Sequence, residues 1–325
     1  MGRGMGRFLL RRAVNYVILV FIAASFTYFL ASSYLEPIVN FLSKHPQPPL
    51  SSIHNILRSR NLDPNTPLVQ RYWTWITNIL FHGNFGQTFD GNSVNSEMGR
   101  RIFVSTELLL VATLVSTVSG VAWGAWNALR QYRPSDRIST VVSYLLLATP
   151  TPVIAISLET VDQWMGVPVQ YTGMYDPGAQ GTWSVITSNM QHLILPTITL
   201  FLIQATLFSR YQRGTMLDVL GSDFLRTARA KGLTRRQAVL KHGLRTAVIP
   251  VMPLLVYNIV LLFTGATFTE KIFGWHGMGE WLVDSITQND VNAVGAIAVF
   301  TAVLVLIAGL LSDLVYAALD PRVRS

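Results

Sequence analysis

Residues 222–250 read SDFLRTARAKGLTRRQAVLKHGLRTAVIP and place a strongly basic segment between two apolar runs. Ser222 is suited to the N-cap of a short helix, and Gly232 stands where a left-handed residue commonly ends one. Thr234 and Gln237 have the spacing of a capping box, which starts a second helix at once. The stretch therefore predicts a short helix, a glycine turn and a second helix that leads into the following apolar run.

The first of these helices, predicted over 223–231, is amphipathic. Its spacing places Phe224, Leu225 and Ala228 on one face. Asp223 lies next to the positive end of the helix dipole, where an acidic group is stabilising. So short a helix cannot bury its apolar face alone, and it must therefore rest on another surface. The basic residues lie off the apolar face: Arg226, Arg229 and Lys231.

Three surfaces could receive this helix: anionic lipid, nucleic acid or a soluble partner on the cytoplasmic side. Nucleic acid is disfavoured, because the segment lacks a recognisable reading motif and lies in a chain with the composition of a membrane protein. The small residues Ala228 and Ala230 and the turn at Gly232 favour a soluble partner, because they permit close approach of the backbone. Docking on a soluble protein is therefore the leading interpretation, and lipid binding is the alternative.

The overall composition points to the bilayer. Of the 325 residues, 50% are hydrophobic and only 13% are charged, whereas soluble domains carry about 25% charged residues. The mean hydropathy is +0.37 and the pI is about 9.9. The chain contains no Cys, which excludes disulfide bonds, thiolate metal ligands and a cysteine nucleophile.

Six apolar runs reach about the 20 residues that a membrane-spanning helix needs. The first has a basic start, but its apolar part is longer than that of a signal peptide and no clear cleavage site ends it, so we interpret it as a retained anchor. The runs cover 13–34, 103–127, 138–160, 192–209, 247–268 and 292–317. The sequence therefore predicts an all-α membrane protein with six transmembrane helices. Proline in several spans favours kinks: Pro150, Pro152, Pro196, Pro250 and Pro253.

The positive charges orient the chain in the membrane. With the N-terminus inside, 18 of the 25 Lys and Arg residues lie on cytoplasmic segments, and the opposite orientation would place most of them outside. Both termini are therefore expected in the cytoplasm. The predicted cytoplasmic segments are 1–12, 128–137, 210–246 and 318–325.

The longest extracytoplasmic segment, 35–102, is polar and proline-rich before it turns aromatic. Its second part predicts a helix that lies on the outer surface or packs against the spans. Trp73 and Trp75 on this helix fit membrane-interface anchors. The apolar residues that recur at helical spacing are Leu68, Tyr72, Ile76 and Leu80.

The basic stretch resembles the EAA-type loop of ABC importer permeases, whose short coupling helix docks into the ATPase subunit. Aligned on Gly232, the Glu-Ala-Ala of the general pattern falls on Arg226, Thr227 and Ala228, so only the last of these and the glycine match it literally. The version here, DFLRTARAKGL followed by HGLRTAVIP, resembles that of dipeptide and oligopeptide importers.

Further segments resemble the B-type permease subunit of these importers, and the resemblance extends over most of the chain. The usual Pro-Gly-Asp-Pro turn after the first span is replaced by SSYLEPI. The matching segments are RFLLRRAVNYVILV, GNFGQTF with STELLLVATL, LPTITL, FTEKIFGWHGMGEWL and the ending LSDLVYAALDPRVR.

The resemblance implies a type I ABC importer permease fold and a role as half of the translocation pathway of an ATP-driven peptide importer. It divides the chain into a cytoplasmic segment 1–12, a first helix 13–34, an extracytoplasmic region 35–102 and a permease domain 103–325 with the coupling loop 210–246. The residues that it implies for the ATPase-coupling helix are Asp223, Phe224, Leu225, Arg226, Ala228, Arg229, Lys231 and Gly232.

The same resemblance implies the partners and the location. They are a second, C-type permease subunit, ABC ATPase subunits that bind ATP and Mg²⁺, an extracytoplasmic peptide-binding protein and membrane lipid, with the chain in the inner membrane of the cell. The chain itself would then be no enzyme and hold no cofactor. The outer loop EKIFGWHGMGEWLVDSITQND predicts a turn and a short helix. Trp275 and Glu280 in this loop are expected to contact the binding protein, with aromatic packing at the membrane surface as the alternative.

The phosphate-loop pattern G-x-x-x-x-G-K-[ST] is absent from the sequence, so ATP-driven transport requires the nucleotide site of another chain.

Two other functions fit parts of the sequence. Glu107, Glu159 and Asp313 lie in or near predicted spans, where carboxylates can couple transport to protons. A proton-coupled transporter acting without an ATPase is the first alternative, and a structural membrane protein that recruits a cytosolic partner is the second.

Overall fold

The structure is a computed structural model that describes residues 3–43, 45–166, 169–256, 258 and 266–319. Within these residues the chain is helical and contains no strand. A π-helical turn, Val239–Gly243, joins α11 to α12, and residues 251–256 are also helical. The named helices are α1 (Arg3–Tyr34), α2 (Val39–Leu42), α3 (Leu50–Ser59), α4 (Leu68–His82), α5 (Val94–Leu129), α6 (Pro134–Ala148), α7 (Thr151–Met165), α8 (Thr182–His192), α9 (Ile194–Leu220), α10 (Asp223–Ala230), α11 (Arg235–Ala238), α12 (Leu244–Val248), α13 (Thr267–Ile272), α14 (Met278–Thr287) and α15 (Val291–Leu319).

Several of the described helices are long and apolar enough to cross a membrane. The helices α6 and α7 meet this test only as a pair, which gives up to five spans. Part of the fifth predicted span, 247–268, and the C-terminal residues 320–325 lie outside the described residues. The number of six spans and the cytoplasmic termini therefore stay predictions. The four single spans are Arg11–Leu42, Val94–Leu129, Ile194–Leu220 and Val291–Leu314.

The third predicted span, 138–160, is not one straight helix but two helices, α6 and α7, that meet at a sharp corner. The axes of α6 and α7 differ by 107°. Thr149 is extended, with φ −87° and ψ 124°, because the residue before a proline is disfavoured in the helical region. Pro150 is extended as well. Pro152 lies in the first turn of α7, where a backbone N–H would make no helical hydrogen bond, so proline is tolerated there. The prolines thus produce a larger change of direction than the predicted kink.

The chain divides into two compact units. The first comprises Met1–Thr106 and His276–Leu310, and the second comprises Glu107–Trp275 and Leu311–Ser325. The long helices α5 and α15 each contribute one part to the first unit and one part to the second.

The core of the first unit explains why α4 is a buried element. Tyr28 of α1 is fully buried, and its ring stacks on Trp75 of α4 with 4.4 Å between centroids. Gly295 leaves room for the indole, since a Cβ there would lie 3.0 Å from Trp75 Cζ2. Packing against the spans is therefore confirmed for α4. The interpretation of Trp75 as an interface anchor is wrong, because its side chain belongs to the core, whereas Trp73 is exposed.

Residues 83–93, which follow α4, are held by a buried acid. Asp290 is the N-cap of α15, and its Oδ1 accepts a hydrogen bond from the backbone N–H of Ala293 at 3.1 Å. Its Oδ2 accepts from the N–H of Phe89 at 2.9 Å. Burial raises the pKa of Asp290 above the ordinary value of an aspartate. One carboxylate therefore ties the 83–93 segment to the start of a long helix.

A buried amide completes this attachment. Asn292 is almost fully buried, and its Nδ2 donates to the carbonyl oxygen of Gln87 at 2.8 Å and to that of Arg60 at 3.0 Å. Arg60 donates in turn to the carbonyl of Phe89. The 83–93 segment is thus fixed by directional polar bonds from two other parts of the first unit.

Within the second unit, α5 and α9 come into very close contact where α5 carries two glycines one turn apart. A Cβ at Gly120 would lie 2.7 Å from the carbonyl oxygen of Ala205, and one at Gly124 would collide with the carbonyl of Ser209. Small residues at this spacing allow helices in membranes to approach closely. The two glycines therefore set the position of α9, which carries α10 at its C-terminal end.

Candidate functional site

The helix α10 begins at the predicted residue but is capped differently. Ser222 has the extended backbone of an N-cap, with φ −76° and ψ 146°. Its Oγ donates to the carbonyl oxygen of Val219 at 2.5 Å and accepts no bond from the helix. Ser222 therefore occupies the predicted N-cap position, but its hydroxyl bonds the carbonyl of Val219, which also accepts the backbone N–H of Ser222, and makes no cap bond to the helix.

The C-terminal end of α10 follows the prediction. Gly232 is left-handed, with φ +94°. Its N–H donates to the carbonyl of Arg229 at 3.0 Å, and the N–H of Leu233 donates to the carbonyl of Ala228 at 3.3 Å. These two bonds form a Schellman motif, which satisfies carbonyls that would otherwise lack a partner. The helix itself ends at Ala230, one residue before the predicted end.

The capping box that starts the second helix is also confirmed. The N–H of Gln237 donates to Thr234 Oγ1 at 3.3 Å, and the N–H of Thr234 donates to Gln237 Oε1 at 3.0 Å. The chain then runs through α11, the π-helical turn and α12. The turn between α10 and α11 is therefore fixed on both sides by local hydrogen bonds.

One side chain of α10 attaches it to the rest of the second unit. Leu225 is 5% exposed. A Cβ at Gly243 would lie 3.5 Å from Leu225 Cδ1 and 3.6 Å from Val219 Cγ1, so Leu225 of α10 and Val219 of α9 both lie next to Gly243 in the π-helical turn. Ala228 is half-buried, whereas Phe224 is exposed. The three residues share one face of the α-helix, as predicted, but the packing buries only Leu225 and part of Ala228 on this face.

The elements under α10 are tightly joined. Four buried residues from α5, α9, the π-helical turn and α12 form a common core. Thr215 Oγ1 of α9 also donates to the carbonyl of Ala247 in α12 at 2.9 Å. α10 therefore rests on a packed base. The core residues are Ala128, Met216, Val239 and Ala247.

The outward surface of α10 is small, polar and basic. Arg226 pairs with Asp223 at 3.3 Å, but both side chains are highly exposed, so this pair contributes little to stability. No apolar residue other than Phe224 and Ala230 reaches this surface. The arrangement suits docking against a complementary partner rather than chemistry on a small molecule. The exposed residues are Asp223, Phe224, Arg226, Thr227, Arg229, Ala230, Lys231 and Gly232.

Trp275, predicted to contact a binding protein, is fully buried. It follows Gly274, whose φ is +64°. The backbone N–H of Trp275 donates to the carbonyl of Glu270 at 2.8 Å. In the same unit the N–H of Gly173 donates to the carbonyl of Phe273 at 2.8 Å. The turn predicted in this loop is present, but it directs the indole into the protein.

Glu280, the second residue predicted to contact a binding protein, lies in the first turn of α14 and is 5% exposed. Its Oε2 is 2.8 Å from Nδ1 of the exposed His276 and 4.0 Å from an Nη atom of Arg101. Arg101 also pairs with Glu97 at 3.2 Å and lies over the ring of Trp281. Glu280 is thus the buried member of a polar cluster that reaches the surface at His276, and contact with a binding protein stays a prediction for both Trp275 and Glu280.

The three carboxylates of the proton-coupling alternative are all half-buried. Glu107 lies on α5 and bonds Asn189, Glu159 lies on α7, and Asp313 lies on α15. Among the residues that the structure describes, no group of three or more His, Cys, Asp or Glu could hold a metal ion.

These features describe a multi-pass helical membrane protein that carries a short, exposed helix on a packed base, as expected of a transport permease. Residues 120–325 match the family described as binding-protein-dependent transport system inner membrane component. The chain belongs to this family, and its type I importer permease fold follows from that membership. The family is one of transport subunits and gives no support to a proton-coupled carrier acting alone.

Named relatives cover nearly the whole chain. The oligopeptide transport system permease protein OppB of Mycobacterium tuberculosis (strain ATCC 25618 / H37Rv) is 50% identical over 326 residues, which cover 98% of this chain and 99% of that protein. The oligopeptide transport system permease protein AppB of Bacillus subtilis (strain 168) is 33% identical over 80% of this chain and 82% of that protein. The glutathione transport system permease protein GsiC of Salmonella typhi is 30% identical over 82% of each.

Proposed function

We propose that this chain is the B-type permease subunit of an ATP-driven importer of dipeptides or oligopeptides and forms half of its translocation pathway. The observation that carries the proposal is the exposed, glycine-terminated helix α10 in a chain that is 50% identical along its length to an oligopeptide permease. The relatives AppB and GsiC, also named as transport permeases, support the same class of function.

The proposed complex contains further subunits. A C-type permease would form the other half of the pathway, and ABC ATPase subunits would bind ATP and Mg²⁺. A peptide-binding protein would deliver substrate on the outer side of the inner membrane. This chain would hydrolyse no ATP itself, because its sequence lacks the phosphate-loop pattern.

The geometry of α10 supports a simple mode of coupling. Closure of the ATPase pair on ATP would draw the α10 helices of the two permeases together. Since Leu225 packs next to Gly243 of the π-helical turn, and Val219 of α9 lies next to the same glycine, a displacement of α10 would be passed to this turn and through it to α9. The exposed face around Thr227 and Ala230, with its basic flanks, would lie in the ATPase cleft.

On the outer side, the burial of Trp275 and Glu280 suggests supporting roles. Trp275 would fix the turn of the outer loop, and Glu280 would hold His276 at the surface, since the two side chains are 2.8 Å apart. The exposed His276 would then be the residue of this loop that meets the binding protein.

The coupling proposal is tested by uptake of a labelled peptide into proteoliposomes that contain the whole complex and ATP. Thr227 is the test position and Thr246 is its matched control. Both residues are exposed, and both hydroxyls donate to the carbonyl four residues earlier at 3.0 Å. Thr227→Tyr should lower ATP-dependent uptake by about tenfold, as expected when a docked surface is overpacked by about 1.4 kcal/mol. Thr246→Tyr should leave uptake close to that of the wild type.

Equal uptake by both variants would show that α10 is not the docking element. Failure of the ATPase subunits to co-purify, together with uptake that follows an imposed proton gradient, would overturn the importer proposal. The carboxylates Glu107, Glu159 and Asp313 would then be the residues to examine.

A further inference from the structure

A half-buried ion pair joins the start of α6 to the C-terminal part of α9 within the second unit. Arg213 donates from Nε to Asp136 Oδ1 at 2.7 Å and from Nη2 to Oδ2 at 2.8 Å. This side-on geometry fixes the orientation of both groups as well as their distance. The side chain of Asp136 is 5% exposed. The N–H of Tyr132 donates to the same carboxylate at 3.0 Å, which ties in the loop between α5 and α6.

Two further attachments hold α6 in the same place. Arg210, one turn before Arg213 on α9, has its guanidinium carbon 4.2 Å from the centre of the Tyr144 ring on α6 and donates to the phenol oxygen at 3.2 Å. The hydroxyl of Ser139 on α6 accepts bonds from Trp123 and Asn127 of α5, each at 2.7 Å. Because these contacts lie at separate points along α6, sliding or rotation of α6 along its neighbours would break several polar bonds.

The ion pair lies between α10 and the corner in the third predicted span. On one side, α9 continues from Arg213 to Val219, which lies next to Gly243 of the π-helical turn, as does Leu225 of α10. On the other side, α6 runs from Asp136 to the break at Pro150, where the chain turns by 107°. α10, α9 and α6 are therefore connected in series, and the Asp136–Arg213 pair is a two-bond, charged link between the last two.

We propose that Asp136 and Arg213 are positioning residues that make α6 follow α9 when α10 is displaced, so that the displacement reaches the corner at Pro150. The inference rests on the proposed function, and it adds two residues outside the predicted coupling helix. A bidentate pair suits this role better than an apolar contact, because separating it leaves a buried carboxylate without its cation.

The test measures peptide taken up per ATP hydrolysed by the whole complex in proteoliposomes. Asp136→Asn and Arg213→Lys should leave ATP hydrolysis close to the wild-type rate and lower uptake per ATP by about tenfold, an ordinary size for a coupling effect. Lys keeps the charge but cannot form the two-bond geometry. Asp218→Asn on α9 and Arg137→Lys on α6 are the matched controls, since both residues are exposed, and should change neither quantity. The reversed pair, Asp136→Arg with Arg213→Asp, should recover part of the uptake.

A distance measurement reads the connection directly. The chain has no Cys of its own. Cysteines introduced at the exposed Val141 of α6 and the exposed Tyr211 of α9 would therefore be the two positions of this chain that carry spin labels. The distance between the labels should be the same with and without trapped ATP in the wild type, and it should vary between these states in Asp136→Asn.

The outcomes separate the two proposals. Unchanged uptake per ATP in Asp136→Asn and Arg213→Lys would overturn this inference alone. A parallel fall of complex yield, ATP hydrolysis and uptake that the reversed pair does not recover would also overturn it, because the pair would then serve only folding. A wild-type complex without ATP-driven uptake would overturn the proposed function, and this inference with it.

Discussion

The helix α10 and the 83–93 segment are both surface segments, but they are held in opposite ways. α10 is attached through one buried apolar side chain, Leu225, and exposes most of its other residues. The 83–93 segment is attached by buried polar groups, since Asp290 and Asn292 bond its backbone directly. An apolar contact is non-directional, whereas each hydrogen bond requires a particular distance and angle.

This difference indicates different mechanical roles. A helix whose C-terminal end is closed by its own hydrogen bonds, and which is fastened by one leucine, can be displaced as a unit without leaving buried polar groups unpaired. The 83–93 segment cannot move without exposing or orphaning the groups that Asp290 and Asn292 satisfy. We therefore expect a displaceable element at α10 and a rigid one at 83–93.

The largest effect is expected for Asp290→Ala. The substitution removes the acceptor of two backbone N–H groups, those of Phe89 and Ala293. Each lost bond leaves a donor without its acceptor, one at the buried Ala293 and one at the half-buried Phe89, so we expect a cost of about 4 kcal/mol to the first unit. The measurement is amide hydrogen exchange across 83–93 in the purified complex, together with its thermal midpoint. Asp90→Ala in the same segment is the control, because Asp90 is exposed and should leave both unchanged.

Asp290 also makes a prediction about pH. Because burial raises its pKa, the folded protein binds the proton more tightly than the unfolded chain does. The first unit should therefore gain stability as the pH falls through the folded pKa, and the gain should be complete below the unfolded value. Asp290→Asn should abolish this contribution to the thermal midpoint. An equal pH dependence in the two proteins would show that Asp290 is not the group responsible.

The next effect is expected at the single apolar attachment of α10. Leu225→Ala should cost about 2 to 3 kcal/mol, the lower part of the range for a buried leucine, because the packing of this side chain next to Gly243 is lost. Hydrogen exchange across α10 should become faster and the ATPase subunits should co-purify less well. Phe224→Ala is the control, since this neighbour is 42% exposed and its loss should leave exchange in α10 unchanged. Equal acceleration in both variants would refute the one-residue attachment.

The sequence predicts those features of α10 that depend only on residues next to each other along the chain. The left-handed Gly232 and the Thr234–Gln237 capping box are as predicted, because a few consecutive residues determine these bonds. The orientation of the helix was not predictable in the same way. Whether Phe224 or Leu225 faces inward depends on the position of α9 and the π-helical turn, which lie outside the segment.

Long-range contacts explain the other differences. Asp136 and Arg213 are 77 positions apart, so no local pattern joins them. Aromatic and acidic character in the outer loop predicted surface contacts for Trp275 and Glu280, whereas turns and ionic partners from elsewhere bury both. The close contact of α5 with α9 did have a readable signal, because Gly120 and Gly124 have the spacing typical of helix packing in membranes. Proline spacing predicted the change of direction at Pro150, although its angle depends on packing.

The smallest effect is expected for Gly232→Ala, and it tests whether α10 moves as a closed unit. No heavy atom lies within 4 Å of the position that a Cβ would occupy at Gly232, so the cost is conformational and not steric. A left-handed alanine costs about 1 to 2 kcal/mol, which should weaken the two Schellman bonds and speed exchange of the amides of Gly232 and Leu233. Gly221→Ala is the matched control, since its φ of −83° suits alanine and the change should be neutral or slightly stabilising. If Gly232→Ala speeds exchange at these amides and lowers uptake per ATP while the ATPase subunits still co-purify, the closed end of α10 is part of the coupling. If exchange quickens and uptake per ATP is unchanged, the helix transmits movement through Leu225 alone.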